Sequence, residues 1–211
     1  MRGLYLVTDR KLCGDRQLED VVHQALKGGV AYVQLREKDV STRFFIEEAQ
    51  KIKILTVQFR VPLIINDRLD VALAAGADGV HIGQEDMPYE TARKLMGPRA
   101  IIGLSVENWD DVVNAQELEV NYLGVSPVFE TPTKTDTKSN WGLNGLARIK
   151  DYSNHPLVAI GGLNASNAED AVKAGADCIA VVSAICAAPD PLRASRELCD
   201  IIKATLDKRS T

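Results

Sequence analysis

The chain has 211 residues, and its 25 Lys and Arg against 29 Asp and Glu give a formal net charge of −4. This balance argues against a nucleic-acid partner, whose binding depends on neutralising phosphates. No apolar run reaches the roughly 18 residues of a membrane span, and the apolar stretch at residues 4–7 is too short for a signal peptide. The four cysteines, at positions 13, 178, 186 and 199, fit neither a zinc site nor a disulfide scaffold. We therefore expect a soluble, cytoplasmic protein of one domain, residues 1–211, with no nucleic-acid or membrane partner. Assembly into a homo-oligomer stays open.

Eight short, apolar segments recur along the chain, separated by segments with the spacing of amphipathic helices. Each is apolar almost without interruption, which is typical of parallel strands buried on both faces. Eight alternating βα units predict an α/β protein with a single (β/α)8 TIM barrel. A doubly wound sheet is the alternative, but such a sheet would rarely need eight strands. The predicted strands are residues 4–7, 31–35, 62–65, 79–82, 100–103, 122–125, 157–160 and 178–182.

The ends of the predicted helices carry a repeated phrase. Residues 74–80 and 173–179 share Ala-Gly-Ala-Asp, and residues 27–33 are a looser copy. A Gly just past a helix can adopt the left-handed conformation that closes it, so each copy predicts a helix end followed by a strand. The predicted N-caps of helices are Ser41, Asn164 and Ser166.

Polar residues that follow the strands are the candidate site residues, because the active site of such a barrel lies at the carboxyl ends of its strands. After the second strand, the two-residue period places Gln34, Arg36 and Lys38 on one side. Leu35 and Glu37 lie on the other side. Three donors, two of them cationic, suit a polyanion such as pyrophosphate. The alternative is a solvated, salt-bridged strand end.

Two carboxylates follow the third and fourth strands. Asp67 and Asp86 come after neighbouring strands, so they can approach one another. Together with pyrophosphate oxygens they suit Mg2+, a hard ion that keeps several waters. The alternative for Asp67 is the N-cap of the helix that starts at Arg68. His81 lies inside the fourth strand, where a hydrogen-bonded histidine that lines the barrel is favoured over a catalytic base. Ser105, after the fifth strand, either caps a helix or faces the mouth.

A long segment without helical or strand period follows the sixth strand, at residues 126–142. Loops of this length are usually functional or disordered. The threonine hydroxyls of this one, together with Lys134, predict a lid over anionic ligands. The seventh strand ends in Gly161-Gly162, and Ser183 follows the eighth. Backbone N–H groups after strands 7 and 8 of a barrel commonly bind phosphate, so we expect a monophosphate there.

Five motifs occur together: residues 34–38 (Gln-Leu-Arg-Glu-Lys), Asn66-Asp67, residues 83–86 (Gly-Gln-Glu-Asp), residues 131–134 (Thr-Pro-Thr-Lys) and Gly161-Gly162. In this combination the chain resembles the thiamine-phosphate synthase family, from residue 4 to the helix after Asp190. That family joins a hydroxymethylpyrimidine diphosphate to a thiazole phosphate, which is hydroxyethylthiazole phosphate or its carboxylated form. It releases pyrophosphate and gives thiamine phosphate. These substrates match the two predicted anion sites.

The resemblance also implies which residues form the site. It implies Mg2+ as cofactor, bound by Asp67 and Asp86. It implies catalytic roles for Arg36, Lys38 and Lys134, which would neutralise the leaving pyrophosphate. The implied pyrimidine-diphosphate site comprises Gln34, Leu35, Arg36, Glu37, Lys38, Asn66, Ser105 and Lys134. The implied thiazole-phosphate site comprises Thr131, Pro132, Thr133, Gly162, Val182 and Ser183.

The family's reaction is a displacement at the pyrimidine methylene. The electron-rich aminopyrimidine can stabilise a carbocation there, which the thiazole nitrogen attacks. Two other functions stay open. A thiazole tautomerase shares the barrel and the monophosphate site, but the pyrophosphate-binding residues and the Thr-Pro-Thr-Lys motif argue against it. A non-catalytic sensor of phosphate ligands is the second, and the two Mg2+ carboxylates argue against that.

Overall fold

In the computed structural model, which describes residues 1–130 and 140–209, eight parallel strands close into a barrel in chain order. Helices between the strands surround it, which confirms the predicted (β/α)8 barrel. None of the described helices is long and apolar enough to cross a membrane. The strands are β1 (Gly3–Val7), β2 (Tyr32–Leu35), β3 (Leu63–Asn66), β4 (Gly79–Ile82), β5 (Ile101–Val106), β6 (Tyr122–Val125), β7 (Leu157–Ile160) and β8 (Cys178–Val181). The described helices are α1 (Leu18–Lys27), α2 (Thr42–Phe59), α3 (Leu69–Ala75), α4 (Tyr89–Met96), α5 (Trp109–Ala115), α6 (Gly142–Tyr152), α7 (Ala168–Lys173), α8 (Ser183–Cys186) and α9 (Pro191–Arg209).

Alternate side chains of the strands form two apolar layers. Those that point outwards, such as Val33, Ile65 and Leu123, pack against the helices and are completely buried. Those that point inwards, such as Tyr5 and Tyr122, fill the barrel. Because both faces are covered, the strands need the continuous apolar pattern seen in the sequence.

Strand β5 is longer than predicted and continues to Val106. Leu104 and Val106 are buried in the outer apolar layer, whereas Ser105 between them faces the cavity at the mouth of the barrel. Helix α5 is instead capped by Asn108, whose side chain accepts a hydrogen bond from the N–H of Asp111. Ser105 therefore faces the mouth of the barrel and does not cap a helix.

The predicted helix caps are confirmed at one helix and wrong at another. Ser41 caps α2, because its hydroxyl accepts from the N–H of Phe44 at 3.2 Å. Asn164 and Ser166 do not cap α7, which begins after Asn167. Asn164 Oδ1 instead accepts from the N–H and the hydroxyl of Ser166, at 2.9 and 2.6 Å. Such local turns compete with helix capping.

The repeated Ala-Gly-Ala-Asp phrase plays the same part in both copies, at the amino-terminal end of the barrel. After α3, Asp78 Oδ2 accepts from Lys53 Nζ and from the first N–H of β3, both at 2.7 Å. After α7, Asp177 Oδ2 accepts from Lys150 Nζ at 2.8 Å and from the first N–H of β7 at 2.9 Å. Each copy therefore follows a helix end, as predicted. Its carboxylate also joins the preceding strand to the helix before that strand, which is α2 to β3 in the first copy and α6 to β7 in the second.

Candidate active site

The carboxyl ends of the strands surround a cavity of about 840 Å³, a size typical of small-molecule sites. Every strand contributes at least one lining residue. The barrel brings most of the predicted site residues to this cavity, although they come from loops far apart in the chain. Those that line it are Gln34, Arg36, Lys38, Asn66, Asp67, Asp86, Ser105, Gly162, Val182 and Ser183.

Two implied site residues point away from the cavity. Leu35 is completely buried in the outer apolar layer. Glu37 Oε1 accepts from Arg10 Nε at 3.0 Å, and this guanidinium lies over the ring of Phe44. The side chains of Leu35 and Glu37 therefore pack on the outer face at the end of β2 and are not placed to touch a ligand in the cavity. This is the alternation that the two-residue period predicts. Thr131, Pro132, Thr133 and Lys134, with the predicted lid up to residue 139, lie outside the described residues.

Lys38, Asp67 and Asp86 form a charged edge of the cavity at β2–β4. Lys38 Nζ lies 2.6 Å from Asp67 Oδ2. Asp67 has a left-handed backbone with φ 60°, and its N–H donates to the carbonyl oxygen of His81 at 2.8 Å. Strained backbone of this kind concentrates at functional sites. Because α3 begins only at Leu69 and has no side-chain cap, the alternative of Asp67 as a helix cap is wrong.

The carboxyl groups of Asp86 and Asp67 lie close enough for their charges to interact. Burial raises the pKa of Asp86, the N–H of Gly83 (2.7 Å from Oδ2) lowers it, and the charge of Asp67 raises it again. The net shift is upward, because burial and the charge of Asp67 together outweigh the bond from Gly83. Among the described residues, no group of three or more His, Cys, Asp and Glu could hold a metal ion. A metal at this edge would therefore need ligands beyond the groups that the described residues offer.

The facing edge consists of the turn after β7 and the start of α8. Gly162 has φ 66°, and a Cβ there would lie 2.6 Å from the carbonyl oxygen of Glu130. The carbonyl oxygen of Gly161 accepts from the N–H of Phe129 at 3.1 Å. The turn therefore needs Gly so that the segment after β6 can pack on it, besides any approach of a phosphate. Ser183 begins α8 and lines the cavity beside this turn.

A chain of hydrogen bonds forms the floor of the cavity. Gln34 Nε2 donates to Tyr5 OH at 3.1 Å, and Tyr5 OH lies 3.0 Å from Tyr122 OH. His81 Nδ1 lies 2.9 Å from Tyr122 OH, and His81 Nε2 lies 2.9 Å from Ser105 Oγ. His81 thus has partners at both ring nitrogens, which confirms the favoured prediction of a hydrogen-bonded histidine that lines the barrel.

Tyr5 and Tyr122 escape prediction from the sequence, where they look like ordinary members of apolar strands. One signal could have pointed to Tyr122. Gly103 stands inside β5, where Gly normally weakens a strand. A Cβ at Gly103 would overlap the Tyr122 ring, so the Gly makes room for it.

Comparisons with known proteins agree with this geometry. A family model described as thiamine monophosphate synthase matches residues 4–185. The chain is 54% identical over 201 residues to the thiamine-phosphate synthase of Albidiferax ferrireducens, covering 95% of this chain and 92% of the relative. It is 53% identical over 199 residues to that of Leptospira biflexa, covering 92% and 95%. The solved structure of thiamine phosphate pyrophosphorylase from Pyrococcus furiosus superposes with a TM-score of 0.89 at 39% identity, covering 97% of this chain and 96% of that one. The chain belongs to the thiamine monophosphate synthase family.

Proposed function

We propose that this protein is a thiamine-phosphate synthase. It condenses 4-amino-2-methyl-5-hydroxymethylpyrimidine diphosphate with a thiazole phosphate and gives thiamine phosphate and pyrophosphate. Relatives that share about half of its residues carry this name. The observation that carries the proposal is the cavity itself, in which the charged edge at β2–β4 faces the glycine turn and Ser183 at β7–β8. One substrate brings a diphosphate and the other a monophosphate, so two separate anion sites can hold the reacting atoms side by side.

The diphosphate is assigned to the β2–β4 edge. Arg36 and Lys38 both line the cavity there and can form charge-assisted hydrogen bonds with phosphate oxygens. The backbone N–H of Arg36 donates to the Thr8 hydroxyl at 3.0 Å, which holds the end of β2 in place. Lys38 is paired with Asp67, but half of its side chain is exposed, so it can turn towards a ligand. The family resemblance adds Lys134 to this site.

Mg2+ is the proposed cofactor, with Asp67 and Asp86 as its protein ligands. Burial and, to a smaller extent, the charge of Asp67 raise the pKa of Asp86, and a bound divalent cation would offset both effects. Mg2+ commonly completes its coordination with waters and substrate phosphate oxygens, which fits the two carboxylates of Asp67 and Asp86 as its protein ligands. When bound, it would neutralise charge on the leaving pyrophosphate.

The thiazole phosphate is assigned to the β7–β8 edge. Gly162, Val182 and Ser183 line the cavity there, and the turn and helix start offer backbone N–H groups and a hydroxyl. Such groups suit a monophosphate. The family resemblance adds Thr131, Pro132 and Thr133, which lie outside the described residues.

The reaction breaks the bond from the pyrimidine methylene carbon to the diphosphate oxygen and forms a bond from that carbon to the thiazole nitrogen. The electron pair of the broken bond leaves with pyrophosphate, whose charge Arg36 and Lys38 stabilise. The electrons of the new bond come from the nitrogen, so no protein nucleophile is required. Gln34, Asn66 and Ser105 hold the aminopyrimidine ring, which spreads the positive charge at the methylene carbon.

The free cysteines support a cytoplasmic setting for this reaction. Cys13, Cys178 and Cys186 are buried and Cys199 is half-buried, all as free thiols. Free thiols are usual in reducing compartments. The proposal therefore includes the cytoplasm as the place where the enzyme works.

The test incubates the purified protein with both substrates and Mg2+ and measures thiamine phosphate and pyrophosphate. Equal amounts of the two products, dependent on both substrates, are expected. Asp67→Asn should remove most of this activity. The matched control Asp78→Asn makes the same change in a Lys-paired carboxylate at the other end of the barrel and should retain it. Isomerisation of the carboxylated thiazole phosphate without coupling would instead indicate a tautomerase, and binding without product would indicate a sensor.

A further inference from the structure

Five side chains form an unbroken hydrogen-bonded chain across the inside of the barrel, from β2 through β1, β6 and β4 to β5. Its successive members are Gln34, Tyr5, Tyr122, His81 and Ser105, at distances of 3.1, 3.0, 2.9 and 2.9 Å. The two tyrosines in the middle are 1% and 0% exposed, and their hydroxyls bond to one another and to the neighbouring members of the chain. All five side chains line the floor of the cavity, with Gln34 and Ser105 at the two ends of the chain.

The hydrogen bonds of this chain must all point in the same direction, so that each inner member accepts from one neighbour and donates to the next. Burial raises the pKa of both tyrosines, so each phenol keeps its single hydrogen. A phenol donates once, and a neutral imidazole donates at one nitrogen and accepts at the other. Tyr5 accepts from Gln34 Nε2, so its own hydrogen is bonded only if it goes to Tyr122, and the hydrogen of Tyr122 is then bonded only if it goes to His81 Nδ1. His81 Nε2 then carries the proton and donates to Ser105 Oγ.

The opposite direction requires the Gln34 amide to turn round. Ser105 would donate to His81 Nε2, and Nδ1 would donate to Tyr122. Tyr122 would then donate to Tyr5, whose own hydrogen would need the Gln34 carbonyl oxygen as its acceptor. A mixed arrangement leaves a buried phenol hydrogen unbonded, which folded proteins avoid. The orientation at one end of the chain therefore sets the orientation at the other.

In the direction that follows from the Gln34 amide, Gln34 offers the cavity its carbonyl oxygen and Ser105 offers its hydroxyl hydrogen. An aminopyrimidine presents the complement, an exocyclic amine that donates and ring nitrogens that accept. We propose that this chain, coupled through His81, makes the site select a pyrimidine that carries the exocyclic amine. The inference rests on the proposed function for the identity of the substrate. His81, Tyr5 and Tyr122 act through Gln34 and Ser105, and are therefore positioning residues.

The interior of the barrel is shaped around the middle of this chain. A Cβ at Gly103 would overlap the ring of Tyr122, and a Cβ at Gly124 would lie 2.9 Å from Cε1 of His81. The rings of His81 and Tyr122 are stacked, with centroids 5.5 Å apart and planes 20° apart. Both rings are thus held in one orientation, which lets the ends of the chain meet the substrate without reorganisation.

The first test measures binding of two ligands without thiazole phosphate: the aminopyrimidine diphosphate and an analogue with hydrogen in place of the amine. Tyr122→Phe removes the hydroxyl that connects Tyr5 to His81 and keeps the ring. The preference for the amino ligand, as a ratio of dissociation constants, should fall about tenfold. Tyr32→Phe is the matched control. Tyr32 packs on Tyr5 with centroids 5.6 Å apart, but its hydroxyl bonds the backbone of Arg2, so the ratio should stay unchanged. A Tyr122→Phe protein that binds both ligands equally less well would overturn the inference, since mere distortion has that effect.

The second test needs no substrate. The protein has three histidines, His23, His81 and His155. The nitrogen NMR signals of the His81 imidazole can therefore be assigned by their loss in a His81→Gln protein. We expect His81 in the wild type to carry its proton on Nε2, with an Nδ1 signal that shifts in Tyr122→Phe. A proton on Nδ1, or on both nitrogens, contradicts the assigned direction.

The two tests separate this inference from the proposed function. A wild-type protein that forms no thiamine phosphate contradicts the proposed function, and the aminopyrimidine part of this inference with it. Product formation combined with a reversed tautomer, or with an unchanged ligand preference in Tyr122→Phe, contradicts this inference alone.

Discussion

Two Lys–Asp ion pairs of similar length lie at opposite ends of the barrel. At the amino-terminal end, Lys150 Nζ lies 2.8 Å from Asp177 Oδ2. At the mouth, Lys38 Nζ lies 2.6 Å from Asp67 Oδ2. Their surroundings differ. The carboxylate of Asp177 also accepts from the first N–H of β7, whereas that of Asp67 faces another carboxylate. The length of an ion pair therefore does not reveal its role.

The pKa shifts at the two ends have opposite signs. Burial by itself raises the pKa of Asp177, but the bonds from Lys150 and the first N–H of β7 and the charge of Arg209 lower it below its ordinary value. Burial also raises the pKa of Asp86, and the charge of Asp67 keeps it raised despite the bond from Gly83. At the amino-terminal end, cationic and N–H partners outweigh the burial of Asp177. At the mouth, the partners of Asp86 do not outweigh its burial and the nearby negative charge. The proposed function assigns the mouth to ligand binding, and we expect the amino-terminal end to serve stability.

Asp67→Asn should have the largest effect, and only on catalysis. The amide keeps the shape of the side chain but removes the charge proposed to bind Mg2+. Turnover should fall on the order of 100-fold or more, whereas the free energy of unfolding should change by less than about 1 kcal/mol. Steady-state kinetics and urea unfolding of the same preparation measure both quantities. Near-normal turnover in chelator-treated buffer would refute the metal assignment.

Asp177→Asn should have the converse effect. It weakens the bonds from Lys150, Arg209 and the first N–H of β7 to a largely buried carboxylate. The free energy of unfolding should fall by about 2 kcal/mol, with kcat and both KM values near those of the wild type. Urea unfolding and kinetics at a temperature where the variant is folded check this. A folded variant without activity would break the proposed division between the two ends.

Ser183→Ala tests the mouth on its thiazole side. Removing the hydroxyl should raise the KM for thiazole phosphate about tenfold, the loss of one hydrogen bond to a charged group. The KM for the pyrimidine diphosphate and the stability should stay unchanged. Gly162→Val is a poorer probe, because any Cβ at Gly162 meets the carbonyl oxygen of Glu130 and distorts the turn. Equal changes in both KM values for Ser183→Ala would contradict a dedicated phosphate site.

The smallest expected effect is the pH dependence of the Asp177→Asn difference. Because folding lowers the pKa of Asp177, its ionised form stabilises the folded state. This contribution is complete above the ordinary Asp pKa of about 3.9 and is lost as the pH falls through the lower folded value. The gap in unfolding free energy between wild type and variant should therefore be largest near neutral pH and shrink at about pH 3. Urea unfolding at several pH values measures it. A constant gap would mean that the charge of Asp177 is not what stabilises the barrel.

The sequence alone determined the order of the elements and most residues of the mouth. Both depend on local pattern. Continuous apolar runs separated by amphipathic helices indicate parallel strands buried on both faces, and the strands of such a barrel all point the same way. Residues that follow them, such as Arg36, Asp67 and Asp86, must therefore meet at one face. The two-residue period even separates Lys38, which lines the cavity, from Glu37, which bonds Arg10 behind it.

Only the tertiary structure decided which side chains touch across the barrel. The approach of Asp67 to Asp86 and the chain from Gln34 to Ser105 depend on how strands distant in sequence are registered when the barrel closes. A shift of one residue in register would turn each side chain to the other face. The raised pKa of Asp86 and the lowered pKa of Asp177 depend likewise on burial and on partners brought from other elements. Aspartates at the two ends of this barrel therefore differ in the direction of their pKa shifts, because their electrostatic surroundings arise only on folding.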